Sequence, residues 1–268
     1  RFFPSAVDNS RRLFFNIRMA GHSHAANVAR RKNAVDAVRA RIFSKYSREI
    51  TVAAKLGGGD PNFNPRLRAA ISAARSESMP GDKIEHAVKK GAGGLGGVNY
   101  EELTYEGYGP GGVALVVETM SDNKNRTAAE IRSVFTKFNG NLGAPGSVAW
   151  MFKKKACFIV SGATEDAVLE ATLDAEPDDL RPAADGQVEV IAAPEKFDAL
   201  EKALKTANLT VSVGKLTFLP DNSVPVTDPG VVNSLLTLIE KLEDHDDVQN
   251  VHANYDIAED LLARAQSA

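Results

Sequence analysis

The chain has little cysteine: one thiol, Cys157, stands among 268 residues. A single cysteine closes no disulfide within the chain, and with five scattered histidines it forms no ligand set at zinc spacing. No metal and no cofactor is expected. Long apolar runs are missing too. The apolar core of "GGVALVVETM" falls well short of the roughly 18 residues a membrane helix needs, as does every other run, so no membrane partner is expected. Neither a G-x-x-x-x-G-K-[ST] loop nor a G-x-S-x-G elbow is present. Two G-x-G-x-x-G matches occur, at Gly91/Gly93/Gly96 and Gly107/Gly109/Gly112. A dinucleotide fingerprint must follow a strand and open a helix. The first match follows a helix and the second joins two strands, so they read as linker and hairpin. With no catalytic constellation, the chain is expected to be no enzyme and to take no small-molecule substrate.

What is present is an ordinary folded composition, 43% hydrophobic and 25% charged, with length enough for two or three domains. The net charge of -3 conceals a strong asymmetry. Residues 1–92 carry 18 Lys and Arg against 7 Asp and Glu, a balance of +11, and residues 93–268 carry 14 against 28, a balance of -14. A basic block joined to an acidic body points to a polyanion-facing module. The opening stretch "RFFPSAVDNSRRLFFNIR" precedes Met19. It is Arg-rich and acid-poor, and reads either as a targeting segment or as an upstream extension, disordered in both cases.

From Asn27 to about Lys55 the residues Val28, Val35, Val38, Ile42, Tyr46, Ile50 and Ala53 recur at helical spacing. Arg41, Lys45, Arg48 and Lys55 fall in a narrow arc beside that apolar stripe. The turn-rich "GGGDPNFNP" breaks the helix. A second helix over 66–76 points Leu67, Ile71 and Ala74 inward, and Asp82 reads as the N-cap of a third that ends at Lys89 and Lys90. "GAGGLGG" is expected to be a linker. Beyond it "YEELTYEGY" and "GVALVVETM" read as strands, and "KNRTAAEIRSVFTKFNG" as a helix capped by Gly140. "ACFIVSGATEDAVLEATLDA" and "VEVIAAPEKFDALEKALKTA" form a weak strand-helix duplication, followed by the strand "LTVSVG". That pattern predicts a ferredoxin-like unit.

The predicted class is α+β: an N-terminal three-helix domain, then two ferredoxin-like α+β domains, one inserted in the other. The expected boundaries are 1–18 for the extension, 19–92 for the basic helical domain, 98–146 with 215–257 for the discontinuous domain, and 147–214 for the insertion.

The candidate site is the basic end of the chain. Eight Lys and Arg between Arg30 and Lys55 face two acids, Asp36 and Glu49, which is the footprint of phosphate-backbone contact. Arg30, Arg31, Lys32, Arg39, Arg41, Lys45, Arg48 and Lys55 are the cationic candidates. His22 and Ser23, in "AGHSHAAN", are candidates for hydrogen bonds to phosphate or sugar, since no third group nearby completes a metal site or a nucleophile. "EDHDD" at Glu243–Asp247 lacks the spacing of a calcium loop and reads as a solvated helix end.

"MAGHSHAANVARRKNAVDAVRARIFSKYSREITVAAKLGGGDPNFNPRLRAAI", "MPGDKIEHAVKKG", "YEGYGPGGVALVVE" and "DNKNRTAAEIRSVFTKFNGNLGAPGSVAWMF" resemble the YebC family, from Met19 to about Tyr255. The mitochondrial branch of that family includes a translational activator of cytochrome c oxidase subunit I. The resemblance implies three domains, the middle one discontinuous, and no enzymatic activity. It also implies one of two roles: a ribosome-associated factor that helps translation through stretches such as consecutive prolines, or a DNA-binding transcriptional regulator. Of these the basic helical domain fits ribosomal RNA first and duplex DNA second. A bacterial cytoplasm is expected, with a mitochondrial matrix as the alternative. The chain departs from the usual opening "AGHSKWANIKHRK", carrying His24 and Ala25 for the Lys-Trp pair and Ala29 and Arg30 for Lys-His. A cation and a stacking surface are lost there.

Overall fold

The computed structural model describes residues 35–93 and 99–258, with 261–262 and 264–265 near the end. The 1–18 extension and most of the glycine linker lie outside these residues. The described residues fall into two compact units, one within 35–148 and 233–251, the other within 149–232 and from 252 onward.

The first unit begins with three helices, α1 (Val35–Gly57), α2 (Pro65–Ser76) and α3 (Gly81–Gly91). Their apolar stripes meet in one core holding Ile50, Ala53, Leu67, Ile71, Ala74 and Ile84, as period-3.6 patterning requires. α1 and α3 approach closely because Gly91 has no side chain: a Cβ there would lie 2.2 Å from the Thr51 carbonyl oxygen. Asn64 joins two helix ends. Its Oδ1 accepts from Leu67 N–H at 3.0 Å, capping α2, and its Nδ2 donates to the carbonyls of Ala53 at 2.8 Å and Gly58 at 2.9 Å. One buried amide therefore satisfies groups that both termini leave open. Asp82 is not the N-cap of α3; Pro80 holds that position and Asp82 sits in the first turn, where its charge still favours the helix end.

The same unit continues with β1 (Glu101–Tyr108), β2 (Ala114–Ser121), α4 (Lys124–Lys137) and β3 (Asn141–Leu142). α7 (Pro229–Glu243) and β9 (Val248–Ala253) follow much later in the chain. The sheet order is β3-β1-β2-β9, so its fourth strand arrives only after the insertion. α4 ends differently from the sequence reading. Asn139, at φ 58°, takes the left-handed position, and the Gly140 N–H donates to the Phe135 carbonyl at 2.8 Å, the Schellman arrangement with Asn in place of Gly.

The second unit is built on β4 (Phe152–Ser161), α5 (Glu165–Thr172), β5 (Asp179–Pro182), β6 (Val188–Ala192), α6 (Phe197–Thr206) and β7 (Thr210–Pro220). The order β5-β6-β4-β7, antiparallel throughout, is the ferredoxin-like path from β-α-β-β-α-β. Ala156, Phe158, Val160, Val188, Val190 and Ala192 alternate onto one face and bury Val168, Leu200 and Leu204. The first sheet is threaded differently, β-β-α-β and then α-β. β7 also passes through the expected boundary at 214/215, pairing with β4 as far as Pro220. Residues 215–220 thus extend the insertion's sheet, because the alternation of "LTVSVGKLTFLP" has no turn residue strong enough to stop the strand. Both units are mixed helix and antiparallel sheet, an α+β protein.

Candidate nucleic-acid interface

The predicted cationic stripe exists on α1, but its middle is occupied. Arg41 pairs with Asp244, and Lys45 donates to the Glu243 carbonyl at 2.8 Å. Arg48 lies 3.4 Å from Asp247, donates to the Asp246 carbonyl, and stacks 5.8 Å from the Tyr100 ring centre. Burial holds the Lys45 ammonium down to about 8, against the opposing pull of Glu243. The reading of Arg41, Lys45 and Arg48 as a solvent-facing set is therefore corrected. Charges some 200 residues apart meet in space, and "EDHDD" is the element that meets them.

That run is not simply a solvated helix end either. Asp246 is exposed, yet Asp247 is 2% exposed. Its carboxylate accepts from Thr127 Oγ1 at 2.6 Å, Arg126 Nη2 at 2.8 Å and Ser121 Oγ at 3.2 Å. Although burial opposes ionisation, the hydrogen bonds from Thr127 and Arg126 and the nearby Arg48 charge hold Asp247 below its usual range. Asp247 is the hub that ties α1, β2 and α4 to the turn after α7.

The other candidates divide. Lys55 donates to the Asn99 side chain. Arg39 is exposed and makes no ion pair among the described residues. His22, Ser23, Arg30, Arg31 and Lys32 lie outside the described residues.

Sequence reasoning missed a second feature of the helical bundle. The last turn of α1 presents Leu56 at 67% exposure, and the turn between α1 and α2 presents Phe63 at 85%. Its backbone is fixed: Asn62 N–H donates to Asp60 Oδ1 at 2.9 Å, Phe63 N–H to the Asp60 carbonyl at 3.2 Å, and Arg68 to the Pro61 carbonyl at 3.1 Å. The available signal was a large apolar side chain in a turn, out of phase with both flanking helices.

Two family models cover nearly all of these elements. The model for the TACO1/YebC protein N-terminal domain matches residues 23–94, and that for the TACO1/YebC second and third domain matches residues 100–255. The chain belongs to the TACO1/YebC family. A probable transcriptional regulatory protein of Methylacidiphilum infernorum is 50% identical over 250 residues, covering 92% of this chain and 100% of that protein. One from Desulfotalea psychrophila is 50% identical over 246 residues, covering 91% and 98%. A crystal structure of a conserved hypothetical protein from Aquifex aeolicus shares the fold with TM-score 0.79 and 41% identity, over 88% of this chain and 98% of that one. The relatives' names are those of regulatory proteins, and no described helix of this TACO1/YebC member is long and apolar enough to cross a membrane.

Proposed function

We propose that this TACO1/YebC member is a non-enzymatic regulator of gene expression that grips nucleic acid at the N-terminal end of its basic block. One observation carries the reading. Of the predicted cations on the described part of α1, Arg39 alone is exposed with no ion pair or side-chain hydrogen bond among the described residues, whereas Arg41, Lys45, Arg48 and Lys55 are engaged. Arg39 continues the basic run Arg30, Arg31 and Lys32, with His22 and Ser23 upstream. The grip is therefore assigned to Arg30, Arg31, Lys32 and Arg39, and not to the middle of the helix.

Ribosomal RNA is the proposed ligand and assistance to translation, as through proline-rich stretches, the proposed role, in a bacterial cytoplasm. Phosphate contacts of this kind position a protein without reading sequence. The second reading, a DNA-binding transcriptional regulator, is favoured by the relatives from Methylacidiphilum infernorum and Desulfotalea psychrophila, which are named probable transcriptional regulatory proteins. Replacing Arg30, Arg31, Lys32 and Arg39 with Glu tests the first. Co-sedimentation with ribosomes should be lost without a change in unfolding midpoint, and the salt slope of RNA binding should fall by about 3. Unchanged sedimentation overturns it. Tight preference for one promoter duplex over random duplex at near-physiological salt supports the second.

A further inference from the structure

Packing within the helical bundle does not account for two exposed apolar side chains at the end of α1 and in the turn after it. Leu56 in the last turn of α1 and Phe63 in the turn are left to solvent at 67% and 85%, while the turn's backbone is held by several hydrogen bonds. Asn64 grips the last turn of α1 and the first of α2 at once, and a Cβ on Gly57 would meet its side chain at 2.6 Å. Gly58, at φ 86°, makes the reversal that sends the chain out of α1. These bonds fix the backbone from which the ring projects, and the ring stands exposed on it.

Cations border the turn that carries the ring. Arg68 reaches across the turn to the Pro61 carbonyl, two residues before Phe63. Lys55, one residue before Leu56, is held by the Asn99 side chain. A Cβ on Gly59 would lie 3.2 Å from Ala92 and 3.5 Å from Val88, so the turn abuts the end of α3, where Lys89 is exposed and lies 3.8 Å from Glu85. The one acid in the turn, Asp60, accepts from the Asn62 N–H and keeps its charge. An exposed aromatic ring on a fixed turn, with Arg68 bonded to that turn, is the composition of a stacking platform: the ring meets an unpaired base, and the cation meets a phosphate that flanks it.

We propose that Phe63 is a stacking site for an unpaired nucleobase, so that the helical bundle engages single-stranded or looped RNA at this tip. The inference rests on the nucleic-acid reading above and adds to it the class of ligand. Duplex bases stay stacked on one another and offer the ring no free face, whereas phosphate contacts are blind to pairing. Phosphate grip and base stacking are thus separable.

The test is anisotropy titration of the full chain with a labelled 12-nucleotide oligo(A) and, at the same salt, a labelled 12-base-pair RNA duplex. Phe63→Ala should weaken oligo(A) binding by about 5- to 100-fold, leave duplex binding and the salt slope unchanged, and leave the unfolding midpoint in place because the ring is exposed. Phe63→Trp should restore or tighten oligo(A) binding. Equal loss on both probes, or no loss on oligo(A), overturns the proposal. So does loss of a protein–protein association by Phe63→Ala with RNA binding intact, which would make the tip a protein dock. The Glu variant of Arg30, Arg31, Lys32 and Arg39 separates the two ideas. It should weaken both probes; if it weakens neither while Phe63→Ala acts on oligo(A) alone, the phosphate grip fails and the stacking site stands.

Discussion

Asp247→Asn removes one charge from a side chain 2% exposed, with little change of shape. In the native protein that carboxylate takes hydrogen bonds from Thr127 at 2.6 Å and Arg126 at 2.8 Å, and faces Arg48 at 3.4 Å. Charge-assisted bonds each contribute about 1.5–3 kcal/mol net. The Asn oxygen still accepts one or two of them, but Arg48, 15% exposed at its side chain, loses its counter-ion. The net loss should be about 3–4 kcal/mol, in the range for breaking a buried pair. Urea unfolding followed by circular dichroism, with the slope unchanged, measures it. Asp246→Asn is the matched control: same run, exposed side chain, expected within about 0.5 kcal/mol of wild type. A loss below about 1 kcal/mol for Asp247→Asn, or equal losses for the two variants, would refute the assignment of Asp247 as the hub. The sign in pH follows from its depressed ionisation. Its contribution is full above the unfolded Asp pKa of about 3.9 and is lost as pH falls through the lower folded value.

Glu189 should behave oppositely. Burial raises it from 4.5 to about 7, and its Oε1 has no hydrogen-bond partner among the described residues, so stability falls as pH rises from about 4.5 to about 7 and stays reduced above; Glu189→Gln should abolish that slope in pH-dependent unfolding and stabilise at pH 8 by up to about 3 kcal/mol. Lys45, lowered from 10.5 to about 8, disfavours its own charged form in the fold, so stability should climb between those two pH values; Lys45→Met should flatten the climb and add about 1–2 kcal/mol at pH 7. Asn64→Ala should cost about 2–3 kcal/mol in thermal or urea unfolding, more than the roughly 1 kcal/mol of a lone N-cap, because the carbonyls of Ala53 and Gly58 lose their donor as well.

The helices were legible because burial in them follows one period: Ile50, Leu67, Ile71 and Ala74 were all placed inward by spacing and are all buried. The ferredoxin-like unit was legible because its two strand-helix halves repeat. Partnership between distant charges was not. Arg48 and Asp247 carry no mark in sequence that they meet, and a stripe of cations reads the same whether water or a carboxylate faces it. Asp246 and Asp247 are chemically identical neighbours, and only the turn after α7 decides that one is exposed and the other enclosed. Phe63 was overlooked for a related reason: turn composition reports where the chain reverses, not what the reversal displays.

The pairing of α1 with the Glu243–Asp247 turn has a consequence for biosynthesis. The partners of Lys45 and Arg48 lie 198 residues downstream, so at roughly 5–20 residues per second the emerging helix waits on the order of 10–40 seconds for them. Until then the nascent chain displays the full cationic stripe, and it becomes a weaker polyelectrolyte only on completion. A polypeptide stopped before Glu243 should therefore be retained by heparin at salt concentrations that release the finished molecule.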